Sequence, residues 1–126
     1  MGTYVHRALT KKWALQAGFS AETAEQISLA CYKFDGLLWS KLWCHFAILG
    51  AWPAGKVFLF LARRRHSAKL LGYAVHCAQD SIGHGWVLPW NHTPDLDDWN
   101  AAGAAKQQKI EQVSLAMLRS LYMNLS

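Results

Sequence analysis

The sequence predicts an all-α fold: one domain, residues 1–126, built as a bundle of about five helices. Three features point there. Apolar residues recur at three- and four-residue spacing, as in Ala24, Ile27, Cys31 and Phe34, and again in Ile110, Val113, Met117 and Leu121. No stretch alternates polar and apolar residues at the period of two that a half-buried strand requires. Gly and Pro at Gly18, Gly36, Gly50, Pro53, Pro89 and Pro94 separate the periodic runs.

The first helix is expected over His6 to Ala17, with Thr3 as cap and Gly18 in the left-handed position after its end. Leu9, Trp13 and Gln16 share one of its faces. Ser20 caps the second helix, and Glu22 and Glu25 lie near its positive end. This helix ends near Asp35-Gly36. A third helix, about Leu37 to Leu49, is apolar nearly all round and suits the centre of the bundle. Gly50 and Pro53 end it. Ala54 to His84 contains no Pro and reads either as one long helix or as two, divided near Arg65-His66-Ser67 with Ser67 as the new cap. Trp86 to Asn100 is a loop rich in Pro, Asn, Asp and Trp. The last helix spans about Ala101 to Asn124, with Gln107 and Glu111 facing outward.

Hydrophobic residues make up 52% of the chain and the net charge is +5, gathered in Lys11-Lys12, Arg63-Arg64-Arg65, Lys106 and Lys109. That balance favours anionic partners, although a run of charge is also what a solvated helix face looks like. No aromatic and basic residues interleave as in nucleic-acid-binding segments, so nucleic acid is not an expected partner. Cys31, Cys44 and Cys77 lie inside apolar runs, which suits buried free thiols in a reducing compartment. Met1 to Lys12 has no apolar core of a signal peptide, and the run Val57 to Ala62 is too short to span a bilayer. A cytoplasmic protein is expected.

The chemistry is concentrated in the stretch Leu70 to Trp86. His76, Asp80 and His84 follow one another at four-residue spacing. Each such step rotates a helical side chain by about 40°, so the three share a face about 80° wide. Two imidazoles and a carboxylate on one stripe suit a divalent transition metal. One helix does not wrap three ligands around one ion, so partners must come from His6, Asp35, His45, His66, His92 or the carboxylates Asp95, Asp97 and Asp98. The alternative is a buried polar network in which Asp80 orients His76 and His84 through hydrogen bonds.

Taken in order, these residues resemble the zinc-dependent phospholipase C family, including the phospholipase C-like domain of GPI-specific phospholipase D. His6-Arg7-Ala8-Leu9 resembles the family's early His, and Asp35 its Asp ligand after the second helix. His45-Phe46 resembles its His-Phe pair. Leu71 to Ser81 resembles the signature helix LGxALHxxQDS. His84-Gly85 matches the following His, and Asn91 to Asp95 resembles a GHxPD loop of bacterial relatives. The resemblance implies a zinc site of one or two ions held by His6, Asp35, His45, His76, Asp80, His84 and His92. Asp80 would bridge two ions, and Asp35 would act as ligand or as general base. The chain departs from the family pattern in having no leading Trp and no His after His92, where the family has a late HxxxE pair.

The expected function is therefore a metal-dependent hydrolase acting on a phosphoester, such as a phospholipid headgroup or another small phosphoester. Two alternatives stand beside it: a non-heme iron enzyme in a helical bundle, and a non-catalytic module that binds metal or lipid. Trp86, Trp90 and Trp99 flank the expected site, and with Arg63 to Arg65 they suit an anionic membrane surface.

Overall fold

A computed structural model describes residues 4–34, 51–83, 99 and 103–125. Asp35, His45, His84 and His92, the expected third helix and nearly all of the loop from Trp86 lie outside the described residues. A π-helical turn, Tyr4–Leu9, runs directly into α1, Thr10–Gln16. Then come α2 (Ala21–Lys33), α3 (Ala51–Arg65), α4 (Ala68–Gly83) and α5 (Ala104–Leu125). No strand occurs among the described residues, as the all-α reading requires.

Local chemistry sets the boundaries. Gly18 adopts φ 108, a left-handed conformation that costs Gly little. Phe19 N–H donates to the Ala14 carbonyl and Gly18 N–H to that of Leu15, each at 3.1 Å. These bonds satisfy carbonyls that the end of α1 leaves open. Ser20, extended at ψ 159, then caps α2 by accepting from Thr23 N–H at 3.2 Å. The long segment after Pro53 is two helices, divided at the expected place. His66 takes φ 50, and Ser67 Oγ accepts from Leu70 N–H at 3.2 Å to start α4.

Four expectations are corrected. Pro53 does not stand outside the helix expected from Ala54; it occupies the first turn of α3, which begins at Ala51. Its missing N–H is harmless there, because first-turn N–H groups have no intrahelical acceptor. The last helix begins at Ala104 rather than Ala101. Gln16 is exposed, and Ala14 and Ala17 fill the inner face of α1 instead; Gln107 is half-buried and donates to the Trp99 carbonyl at 2.8 Å.

The core is built from the expected stripes. Ala24, Ile27, Cys31 and Phe34 of the α2 segment are all buried, as are Ile110, Met117 and Leu121 of α5, with Val113 packed beside them. Trp13 packs edge-on against Trp99, ring centroids 6.3 Å apart, so Trp99 is half-buried packing rather than a free interfacial indole. A smaller aromatic group, Phe34, Phe58 and Tyr73, stands at the junction of α2, α3 and α4.

Helix α4 lies close against α2 at Gly72. A Cβ there would lie 2.5 Å from the Ile27 carbonyl oxygen, 2.8 Å from Ala30 Cβ and 3.0 Å from Cys31 N. Two of those neighbours are backbone atoms of α2 and cannot swing aside. This contact brings the Cys31 carbonyl within reach of His76, one turn after Gly72 on the same stripe. Gly72→Ala should therefore push α2 and α4 apart, lowering stability by about 2 kcal/mol as an overpacked core does. Thermal unfolding would show this as a drop of several degrees, while Ala68→Gly, in the first turn of α4, should not reproduce it.

Candidate metal centre

Four segments meet around two imidazoles and a carboxylate. The π turn delivers His6, α2 delivers Cys31, α4 delivers His76, Gln79 and Asp80, and α5 delivers Ser114. His6 and Asp80 are each 1% exposed, and Cys31, His76, Gln79 and Ser114 are fully buried. His76 and Asp80 share a face at i, i+4, as their spacing predicts. The π turn places Val5, His6 and Leu9 on the buried side, and Thr10 at the start of α1 joins them. Single π turns inside helices are frequent at functional sites.

The hydrogen bonds determine which ring nitrogens carry protons. Thr10 Oγ1 donates to the Val5 carbonyl at 2.8 Å, so it can only accept from Gln79 Nε2, also at 2.8 Å. Gln79 Nε2 further donates to Ser114 Oγ at 3.2 Å. That orientation leaves Gln79 Oε1 facing His6 Nδ1 at 2.8 Å, and an amide oxygen only accepts. His6 Nδ1 is therefore the donor. His76 Nδ1 lies 2.7 Å from the Cys31 carbonyl oxygen and is a donor for the same reason.

In the neutral rings both Nε2 atoms then carry lone pairs, and both point at Asp80. His76 Nε2 is 2.9 Å from Asp80 Oδ2, and His6 Nε2 is 3.3 Å from Oδ1. The two rings stack with centroids 3.9 Å apart and planes 19° apart. Three lone-pair-bearing groups thus converge in a buried space. Only positive charge makes that favourable: protons on the imidazoles, or a cation among them. Protonating both rings would stack two like charges at 3.9 Å. One divalent ion would answer all three groups, and the donor set of two imidazoles and a carboxylate suits zinc chemistry.

Cys31 is the donor that sequence reasoning placed only in the core. His6, Cys31 and His76 form a buried group able to hold a metal ion, with one donor atom from each within 4.8 Å of the others. The thiol lies on the protonated side of the His6 ring, 3.7 Å from Nδ1, and donates toward Gln79 Oε1 at 3.5 Å. The ring hydrogen bonds thus direct a cation to the Nε2 side, toward Asp80, with Cys31 behind. Burial alone would raise the Cys31 thiol, but hydrogen bonds and charge from His6 and His76 bring it down to about 7.

The same charges set the other two groups. Burial pushes Asp80 up, yet the charge of His76, then the charge and hydrogen bond of His6, hold it well below the usual carboxylate value. Burial and the neighbouring His76 lower His6, but the charge and hydrogen bond of Asp80 outweigh them and leave it raised. Phe34 covers one side of His76, with ring centroids 4.8 Å apart. Outside the centre, Arg7 pairs with Glu25 and donates to Ser28 Oγ at 2.6 Å, locking the π turn onto α2.

Of the residues expected to bind metal, the structure brings together His6, His76 and Asp80; Asp35, His45, His84 and His92 are outside the described residues. His66 is exposed at the turn between α3 and α4. Gln79 was missed because it is not a ligand type. Its signal is its place beside Asp80 in the one stretch already singled out.

Two outcomes test this geometry. In the metal-free protein, Asp80 stabilises the fold above its unfolded pKa near 3.8, and that contribution is lost as pH falls toward its lower folded value. His6 stabilises it fully below 6.5, and that contribution is lost as pH rises through its raised folded value. Metal-free stability should therefore be greater at mildly acidic than at alkaline pH. Added zinc should stabilise more at alkaline pH, where protons no longer compete for Nε2. Denaturant melts with and without zinc across that range measure both. Second, Gln79→Leu should weaken zinc binding by about 10–100-fold, as loss of a ligand's orienting partner does. Gln79→Glu keeps an acceptor for His6 Nδ1–H but loses the donor to Thr10 and Ser114, so it should restore only part of the affinity in a chelator-competition titration. No protein-family model, curated protein or solved structure matches the chain.

Proposed function

We infer that this protein is a metal-dependent hydrolase of phosphoesters. One observation carries the reading: two buried imidazoles whose Nδ1–H groups are committed elsewhere turn their Nε2 atoms onto one carboxylate. His6, His76 and Asp80 would hold the ion, and zinc is the ion their chemistry favours. A bound divalent ion would supply a Lewis acid for phosphoryl oxygens and lower the pKa of a coordinated water. The chain's own residues do the rest. Gln79 and the Cys31 carbonyl fix the two rings. Asp80 offsets the charge of the cation. Phe34, Phe58 and Tyr73 form an apolar wall on the His76 side that keeps the local dielectric low.

The choice of phosphoester rests on the resemblance of Leu71 to Ser81 to the phospholipase C signature helix. By the same resemblance, Asp35, one turn beyond Cys31 in the sequence, is the candidate general base. A second reading has its own support. The near-complete burial of His6, His76 and Asp80 is what a closed, structural metal site looks like.

Elemental analysis of the purified wild type beside His76→Ala and Asp80→Ala tests metal binding. About one equivalent of zinc is expected in the wild type and far less in the variants. Equal metal content in all three would overturn the ligand set. Hydrolysis of bis-(p-nitrophenyl) phosphate and p-nitrophenylphosphorylcholine, abolished by chelation and restored by zinc, is the expected activity. Stoichiometric zinc with no hydrolysis of either ester, and unfolding on chelation, would establish the structural reading instead.

A further inference from the structure

Helix α3 turns a face to solvent that core packing does not explain. Val57 and Phe60 are 56% and 57% exposed, and Lys56, Arg63 and Arg64 are exposed beside them. At about 100° per residue these five share an arc of about 120°, with Phe60 between the cations. Phe58, Leu59 and Ala62 on the opposite side belong to the core. Residues 51–65 contain no Asp or Glu. Arg64 lies over the Phe60 ring at 5.8 Å from its centroid. Exposed Arg65 and Lys69 carry the positive charge across the turn into α4.

We propose that this face docks on an anionic lipid bilayer. The argument is charge complementarity combined with exposed apolar bulk. A nucleic acid or an acidic peptide would engage the arginines but gives Val57 no apolar environment. The boundary between headgroups and acyl chains takes both kinds of side chain. Val57 and Phe60 enter it while Arg63 and Arg64 reach the phosphates along their aliphatic stems. With its apolar and cationic side chains along one face, α3 would lie in the plane of the interface. This inference does not depend on the metal centre.

Co-sedimentation with vesicles tests it, using phosphatidylcholine alone and phosphatidylcholine mixed with phosphatidylserine. The wild type should bind the mixed vesicles, less so as salt is raised, and leave the neutral ones. Each arginine neutralised should cost about fivefold, so Arg63→Gln with Arg64→Gln should lose more than tenfold. Arg63→Lys with Arg64→Lys should retain binding. Val57→Ser with Phe60→Ser should weaken binding while leaving its salt dependence intact. All four positions are exposed, so circular dichroism should show the variants folded. Failure to bind mixed vesicles overturns the proposal, as does binding that ignores the glutamine pair or the serine pair. Binding to duplex DNA or polyglutamate in place of vesicles overturns it equally and assigns the face to that partner.

Discussion

Lone pairs that face one another in a buried space repel, and the centre of this protein is arranged around that conflict. His6 and His76 each donate a proton away from Asp80 and present the bare side of the ring toward it. Taking a carboxylate out of water costs several kcal/mol unless compensating charge is near. The carboxylate is nevertheless buried, and in the metal-free protein the imidazoles hold it ionised. Protons and any metal ion bound there would therefore compete for one position, and either would link the π turn to α4.

The scaffold behind that position is a set of directional constraints. Val5 orients Thr10, Thr10 and Ser114 orient Gln79, and Gln79 orients His6. Each link joins a different pair of segments, so the ring cannot turn without disturbing the π turn, α4 and α5 together. His76 is held by backbone instead. The absence of a side chain at Gly72 lets α4 approach α2 until the Cys31 carbonyl meets the imidazole. A buried network of this kind restricts the rings to one orientation, because any slip strands a further polar group away from water.

Much of this was legible in the sequence, and the failures have physical causes. The caps at Ser20 and Ser67 and the turn at Gly18 were readable because each acts on neighbours a few residues away. The His76–Asp80 stripe follows from helix period alone. Pro53 misled because the missing N–H that breaks a helix interior is equally at home in a first turn. Cys31 looked like core because it is core, lying on the stripe of Ala24, Ile27 and Phe34. Its proximity to His6 spans 25 residues, and that of His6 to Gln79 spans 73. Periodicity cannot measure separations of that length. His6 entered the site only through resemblance, and Gln79 entered through geometry.

The interior and the surface divide the chain's charge between them. Glu25 is held down to about 2 by hydrogen bonds from Arg7 and Lys11, and Asp80 is enclosed with the imidazoles. Two of the described acids are thereby neutralised locally. On α3 the sequence supplies no acid of its own: Arg63, Arg64 and Arg65 follow an apolar run with no Asp or Glu between 51 and 65. The net charge of +5 is thus not a uniform property of the surface but falls heavily on one helix. Burying Phe58, Leu59 and Ala62 uses the inner face of α3 and leaves Val57 and Phe60 among the cations. A helix needed only for packing would place polar residues there. Apolar bulk framed by arginine instead suits a boundary between water and oil, and that boundary lies outside the molecule.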